Sequence, residues 1–131
     1  MTTPGAQSLA ERIEAIEQAY ELMLAYAAQG RQDDADDSSS IRRFLQRADA
    51  ALDGLAACLR GTVAEQSEAF DFIAVLEDDA RRTRAALRLV LAQKALSSQL
   101  VDNLNASIHI RALLTDIFLI DETLKSRAGN E

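Results

Sequence analysis

The sequence has few residues of several types, and each shortage excludes a class of protein. Cysteine occurs once, as Cys58, so no internal disulfide can form and an oxidising compartment is not required. No apolar run approaches the roughly 20 residues that cross a bilayer, and the N-terminus lacks a basic patch followed by an apolar stretch. These absences predict a cytoplasmic protein that makes no membrane contact.

Positive charge is also scarce. The chain has 14 Lys and Arg residues against 21 Asp and Glu residues, a formal net charge of -7, whereas nucleic-acid binding needs a concentrated basic face. The densest basic stretch is the arginine cluster of residues 81–88, where Glu77 precedes Arg81 and Asp78 precedes Arg82 by one helical turn. This order favours a solvated, salt-bridged face, so nucleic acid is not an expected partner.

The residues that are abundant favour helices. Aromatic residues make up 5% of the chain, tryptophan is absent and proline occurs once, whereas hydrophobic residues make up 48% and include many Ala and Leu. Ala and Leu are strong helix formers, and 131 residues suffice for one buried core. We therefore expect a single helical-bundle domain over residues 1–131, with a flexible tail at 1–7, an acidic loop at 30–39 and a polar C-terminal tail at 126–131.

The first predicted helix starts at a capping box, in which Ser8 and Glu11 each satisfy a free amide of the other. Gly30 is its expected end. The acidic loop follows, and Ser39 or Ser40 is the expected N-cap of the second helix. That helix is predicted over residues 41–60, with Gly54 as an internal weak point and Gly61 as its C-cap.

A second capping box, Thr62 with Glu65, predicts the start of the third helix. Its apolar seam has helical spacing and consists of Ala69, Ile73, Leu76, Ala80, Thr83, Leu87 and Val90. The pair Ser97 and Ser98 is expected to cap a fourth helix, which runs to about Lys125. The pattern predicts an all-α, antiparallel up-down four-helix bundle, although a helical hairpin pair that dimerises fits the same pattern.

The fourth predicted helix has two apolar faces. One is a core seam formed by Ala106, Ile110, Leu113, Ile117, Ile120 and Leu124. The other, which includes Arg111 in a polar gap, is the candidate interface: Leu100, Leu104, Ile108, Arg111, Leu114, Phe118 and Leu119. Because a large exposed apolar patch usually marks an interface, we expect a homodimer through this helix and a protein partner. A guanidinium at residue 111 is expected to pair with an acid of a neighbouring helix or subunit.

A polar strip on the same helix holds the single histidine, and it is the candidate ligand or switch site. Its members are Asp102, Asn105, His109 and Asp116. Histidine titrates near neutral pH, so His109 is a candidate switch or phosphate acceptor, and a structural role is the simpler interpretation.

Three functions are compatible with these patterns. The favoured one is a non-enzymatic adaptor, assembly factor or regulator that acts through its apolar helix surface. The alternatives are a histidine phosphotransfer-like signalling module that uses His109, and a ligand-binding or catalytic bundle. No catalytic residue, metal site or cofactor is predicted, because the sequence lacks a Gly-rich phosphate loop, a ligand cluster and a nucleophile beside a base.

Overall fold

Helices provide all the regular structure in this computed structural model, which describes residues 8–28 and 35–129. Six helices lie in those ranges: α1 (Leu9–Ala28), α2 (Ala35–Leu52), α3 (Leu55–Arg60), α4 (Glu68–Leu91), α5 (Ser98–Ala106) and α6 (Ile108–Gly129). The all-α prediction is confirmed for this part of the chain. The predicted tail at 1–7, the expected helix end at Gly30 and the first part of the acidic loop lie outside it.

The predicted capping box at the start of α1 is confirmed. The Ser8 amide donates to Glu11 Oε1 over 2.9 Å, and the Glu11 amide donates to Ser8 Oγ over 3.1 Å. The Ser8 amide, assisted by the Ser8 side chain, favours the ionised carboxylate and lowers the pKa of Glu11 from its ordinary value.

The second helix begins earlier than the sequence predicted. Residues 35–39 of the expected acidic loop already belong to α2, so neither Ser39 nor Ser40 is an N-cap. At the other end of the chain, α6 continues to Gly129, through most of the expected polar tail.

The predicted continuous helix over residues 41–60 is wrong, because it breaks at Gly54. Gly54 has φ +90° and ψ 1°, a left-handed conformation that side-chain-bearing residues rarely adopt. The guanidinium of Arg12 spans the break and donates to the carbonyl oxygens of Ala51 and Asp53. Gly61 is the C-cap of α3, as expected, but its φ of −71° is right-handed.

The helix expected to start at Thr62 begins only at Glu68. The Thr62 hydroxyl donates to Leu59 O over 2.7 Å, so it closes the end of α3 instead of capping a new helix. Gln66 then has φ 67°, which interrupts any helix across residues 62–67. Ser67 is the actual N-cap of α4, and its Oγ accepts from the Phe70 amide over 3.1 Å.

The fourth predicted helix is also divided in two. Ser97 caps α5 as expected, accepting from the Leu100 amide over 3.1 Å. Ser107 then has extended dihedral angles, φ −64° and ψ 146°, and ends α5. Its Oγ accepts from the Ile110 amide over 3.4 Å, so the same residue caps the start of α6.

One hydrophobic core joins the helices. α1 packs on α2, α2 on α4 and α4 on α6, while α5 packs back on α1. Ile73, Leu76 and Leu87 of the predicted α4 seam are at most 1% exposed, which confirms that seam as a core face. Two polar contacts hold the C-terminal end of α4 and the segment after it, because the Tyr26 hydroxyl donates to Leu96 O and the Arg42 guanidinium donates to Leu91 O, at the last residue of α4. The outer side of α6 is exposed.

Candidate interaction surface on α6

The exposed side of α6 carries large apolar side chains. Ile108 is 74% exposed, Phe118 52% and Leu119 53%, although each is large enough to fill a core position. Arg111, Thr115 and Glu122 are exposed beside them. A helix that offers several such side chains to water has an unusual surface for a chain with a complete core.

The structure divides the predicted interface residues between the surface and the core. Leu104 is 4% and Leu114 is 8% exposed, so this chain covers most of both side chains. Leu100 is partly buried against the same core. Leu100 and Leu104 belong to α5, which packs against α1, whereas Leu114 is buried on α6 itself. Ile108, Arg111, Phe118 and Leu119 remain accessible.

A groove runs along one side of this surface, between α1 and α6. It has a volume of about 370 Å³. Its lining residues are Tyr20, Arg111, Leu114, Thr115 and Phe118. We call it the Tyr20 groove. The Thr115 hydroxyl donates to Arg111 O over 2.9 Å, so it is satisfied within the helix, and the groove wall presents polar and apolar surface in similar amounts.

A second groove lies on the other side, between the start of α4 and the last turns of α6. Its volume is about 480 Å³. Its lining residues are Ser67, Glu68, Ala69, Phe72, Leu119, Ile120, Thr123 and Leu124. We call it the Phe72 groove. Phe118 and Leu119 are adjacent in the chain and line different grooves, so α6 presents apolar surface in both directions.

The predicted polar strip does not form one site. Asp102 and His109 are exposed, Asn105 is half-buried, and Asp116 is 7% exposed. The break at Ser107 ends α5, so Asp102 and Asn105 lie on a different helix from His109 and Asp116. His109 contributes through its backbone, since its carbonyl accepts from the Thr83 hydroxyl over 3.0 Å. Two buried oxygens, Asn105 Oδ1 and Asp116 Oδ2, have no hydrogen-bond partner.

Asp116 faces a second carboxyl group, Asp79 of α4. Burial raises the pKa of Asp116 to about 7, and the hydrogen bond and the charge of Asp79 act in the same direction. Asp79 itself is 16% exposed and lies 3.6 Å from the guanidinium of Arg82. The sequence analysis does not single out Asp79, although its position beside the seam residue Ala80 was a signal for it. The pair holds a proton near neutral pH.

The arginine cluster of residues 81–88 is paired with acids, in part as predicted. The carboxylate of Asp78 lies 3.6 Å from the guanidinium of Arg82, which confirms that ion pair, whereas Glu77 binds Arg60 of α3 at 2.8 Å. This bond lowers the pKa of Glu77.

The other two arginines of the cluster reach a different helix. Arg84 and Arg88 of α4 lie 2.8 and 3.4 Å from the carboxylate of Asp49 on α2. Their charges join two helices of this chain, so they do not form a free basic face.

In the part of the chain whose side chains the structure describes, no group of three or more His, Cys, Asp or Glu is arranged to hold a metal ion. A void inside the core beside Met23 and Leu113 measures about 20 Å³, which is room for one water and not for an organic ligand.

No helix in the described part of the chain combines the length and the apolar character that a bilayer crossing requires.

Both grooves beside α6 therefore offer uncovered apolar surface. The sequence matches no known protein family, and neither a curated protein nor a solved structure is significantly similar to the chain.

Proposed function

We propose that this chain is a non-enzymatic interaction protein, an adaptor, assembly factor or regulator, that binds a protein partner through the exposed side of α6. One observation carries the proposal: Phe118 and Leu119 are both more than half exposed, and each borders an open groove. Water contact with this apolar surface is unfavourable by about 25 cal/mol per Å², and a partner that covers it removes that cost.

The proposal includes the arrangement of the helices. α2 with α3, and α5 with α6, each act as one broken helix, so that the chain forms an antiparallel up-down four-helix bundle. The breaks support this because each is short: residues 53–54 separate α2 from α3, and Ser107 alone separates α5 from α6. A rigid bundle then holds the α6 surface in one conformation, which reduces the entropy lost on binding.

A cytoplasmic location and a first partner complete the proposal. Cys58 is the single cysteine of the chain, so the fold does not depend on oxidation. The favoured partner is a second copy of the chain, which makes the active form a homodimer.

The test is native mass spectrometry of the protein purified gently from its own host. We expect a homodimer or a complex with another protein, and no added small-molecule mass. The variant Phe118→Glu should abolish the complex and leave the helical circular dichroism unchanged, because Phe118 is half exposed.

Leu89→Glu is the matched control, since Leu89 is a 69% exposed residue of α4 that borders neither groove. The control should retain the complex. A wild-type protein that is strictly monomeric, or that carries a bound metabolite or metal, would overturn the proposal.

A further inference from the structure

The outer side of α6 carries a regular stripe of exposed residues. Their spacing alternates between three and four, and they are Ile108, Arg111, Thr115, Phe118 and Glu122. We call this the α6 stripe. Alternating steps of three and four keep side chains on one side of a helix, which is the spacing that one helix uses to pack along another.

The two charged side chains of the stripe have no partner within the described part of the chain. Arg111 and Glu122 are both exposed, and neither side chain makes a hydrogen bond or an ion pair there. They lie about 16 Å apart along the axis at 1.5 Å per residue, too far to pair with each other. Arg111 also lies near the N-terminal end of α6, where the helix dipole disfavours a cation. Its position is therefore not explained by the stability of its own helix.

The order of the stripe residues is complementary to itself when reversed. If a second α6 runs antiparallel about a centre between Thr115 and Phe118, Arg111 lies opposite Glu122, and Thr115 lies opposite Phe118. A parallel arrangement in register would place Arg111 opposite Arg111, which is repulsive. Charge complementarity therefore favours a second copy of the chain as the partner, with its α6 antiparallel.

We propose that the occupant of the α6 stripe is a second copy of this chain, packed with its α6 antiparallel about a two-fold axis. This rests on the proposed function, which names a second copy as the favoured partner, and it adds the orientation and the residue pairs of the contact. In this dimer Arg111 pairs with Glu122 of the partner subunit, and the same contact repeats on the other side of the axis.

The Tyr20 groove supplies the cavity for this packing. Thr115 lines the groove and lies opposite Phe118 of the partner subunit, so that phenyl ring enters between Tyr20 and Leu114. The volume of about 370 Å³ exceeds that of a phenyl ring. Symmetry requires Phe118 of this chain to enter the equivalent groove in return.

Residues of α1 extend the proposed contact. A specific interface buries roughly 1,000 Å² or more, which is larger than a single pair of helix stripes provides. Leu24 is 45% exposed and lies one turn after Tyr20 on α1. The dimer contact therefore includes Tyr20 and Leu24 as well as the α6 stripe.

A charge-swap experiment tests this geometry with the full-length protein. The variants Arg111→Glu and Glu122→Arg each place like charges opposite each other in a homodimer, and each should weaken self-association about tenfold or more in analytical ultracentrifugation. An equimolar mixture restores both opposite-charge pairs, so it should form a heterodimer of wild-type affinity. The double variant should again form a homodimer. Arg43→Glu, a charge reversal at an exposed α2 residue, is the control and should have no effect.

The outcomes separate this inference from the proposed function. Recovery of affinity on mixing supports the antiparallel dimer. Equal weakening of the single variants and the mixture overturns it. So does a stable complex with a different protein that is lost in Phe118→Glu but insensitive to charge reversal, and in that case the proposed function stands. A monomer in every sample overturns both.

Discussion

The carboxyl groups of Asp79 and Asp116 meet at the contact between α4 and α6, although an ionised pair in that position would be repulsive. Asp116 is 7% exposed and its Oδ2 has no hydrogen-bond partner. Burial, assisted by Asp79, raises the pKa of Asp116 to about 7. The contact is therefore most favourable when the two groups share a proton, which makes it sensitive to pH.

The first prediction is a fall in stability as pH rises through this range. The folded protein holds a proton on Asp116 up to about pH 7, whereas the unfolded chain releases it near 3.8. Between these values the folded state binds more protons, so the free energy of unfolding declines as pH rises. The stability that the Asp116 proton contributes is fully present below the pKa of the unfolded chain and is lost as pH rises to about 7. Its size is roughly 2 to 4 kcal/mol.

The variant Asp116→Asn isolates this contribution. Urea unfolding from pH 4.5 to 8 should show that the difference between the variant and the wild type grows in favour of the variant as pH rises. Asp102→Asn is the control, because Asp102 is exposed on α5, and it should follow the wild-type curve. Parallel curves for Asp116→Asn and the wild type would show that the pair does not share a proton.

The second prediction concerns the break between α2 and α3. Gly54 has φ +90°, and an added Cβ would lie 3.5 Å from the Arg12 guanidinium, an ordinary contact. The cost of Gly54→Ala therefore comes from the backbone, and we expect a loss of about 1 to 2 kcal/mol of unfolding free energy.

Gly61→Ala is the matched substitution for that measurement. Its φ is −71°, so alanine fits the backbone and should be neutral or stabilising by up to about 1 kcal/mol. Thermal or denaturant unfolding of both variants measures the change in stability that each substitution causes. Equal effects at the two glycines would contradict a role for the left-handed conformation.

Helix type was predictable from the sequence, because it depends on local spacing. Ile73, Leu76 and Leu87 recur with helical spacing and are all buried. The capping box at Ser8 needs only residues within one turn, and it forms as predicted. Patterns of this kind involve only residues that are close in sequence, so they can be recognised without knowledge of distant contacts.

Helix interruptions were less predictable, because they depend on distant contacts. Gly54 breaks a helix where Arg12, far away in sequence, supplies the donors for the free carbonyl groups. Thr62 fits a capping box in sequence, but its hydroxyl binds Leu59 instead. Ser107 has helix-forming neighbours on both sides, and only the packing of α5 on α1 explains why the chain turns there.

The candidate surface was predictable as a property of one helix, but its members were not. Periodicity showed apolar residues on two faces of the fourth predicted helix, but which of them the chain itself covers depends on packing against distant helices. Leu104 of α5 and Leu114 of α6 are buried, whereas Phe118 and Leu119 of α6 are exposed. The interface, the homodimer and the roles considered for His109 stay predictions.

The third prediction concerns Arg42, which fastens the end of α4 to α2. Its guanidinium donates to the carbonyls of Leu91 over 2.6 Å, Gln93 over 2.7 Å and Lys94 over 3.3 Å. The last carbonyls of a helix have no partner within it, and a charged donor satisfies them more strongly than a neutral one.

Replacement of this side chain by an apolar one of similar length should expose those carbonyls to competition with water. We expect Arg42→Met to lower the free energy of unfolding by about 1 to 3 kcal/mol, and to speed amide exchange first at the C-terminal turn of α4. Arg43→Met changes the adjacent exposed arginine and should shift stability by less than about 0.5 kcal/mol. If both variants show the same small loss, then the end of α4 is held by apolar packing of Val90 and Leu96 alone, and the guanidinium adds nothing to the fold.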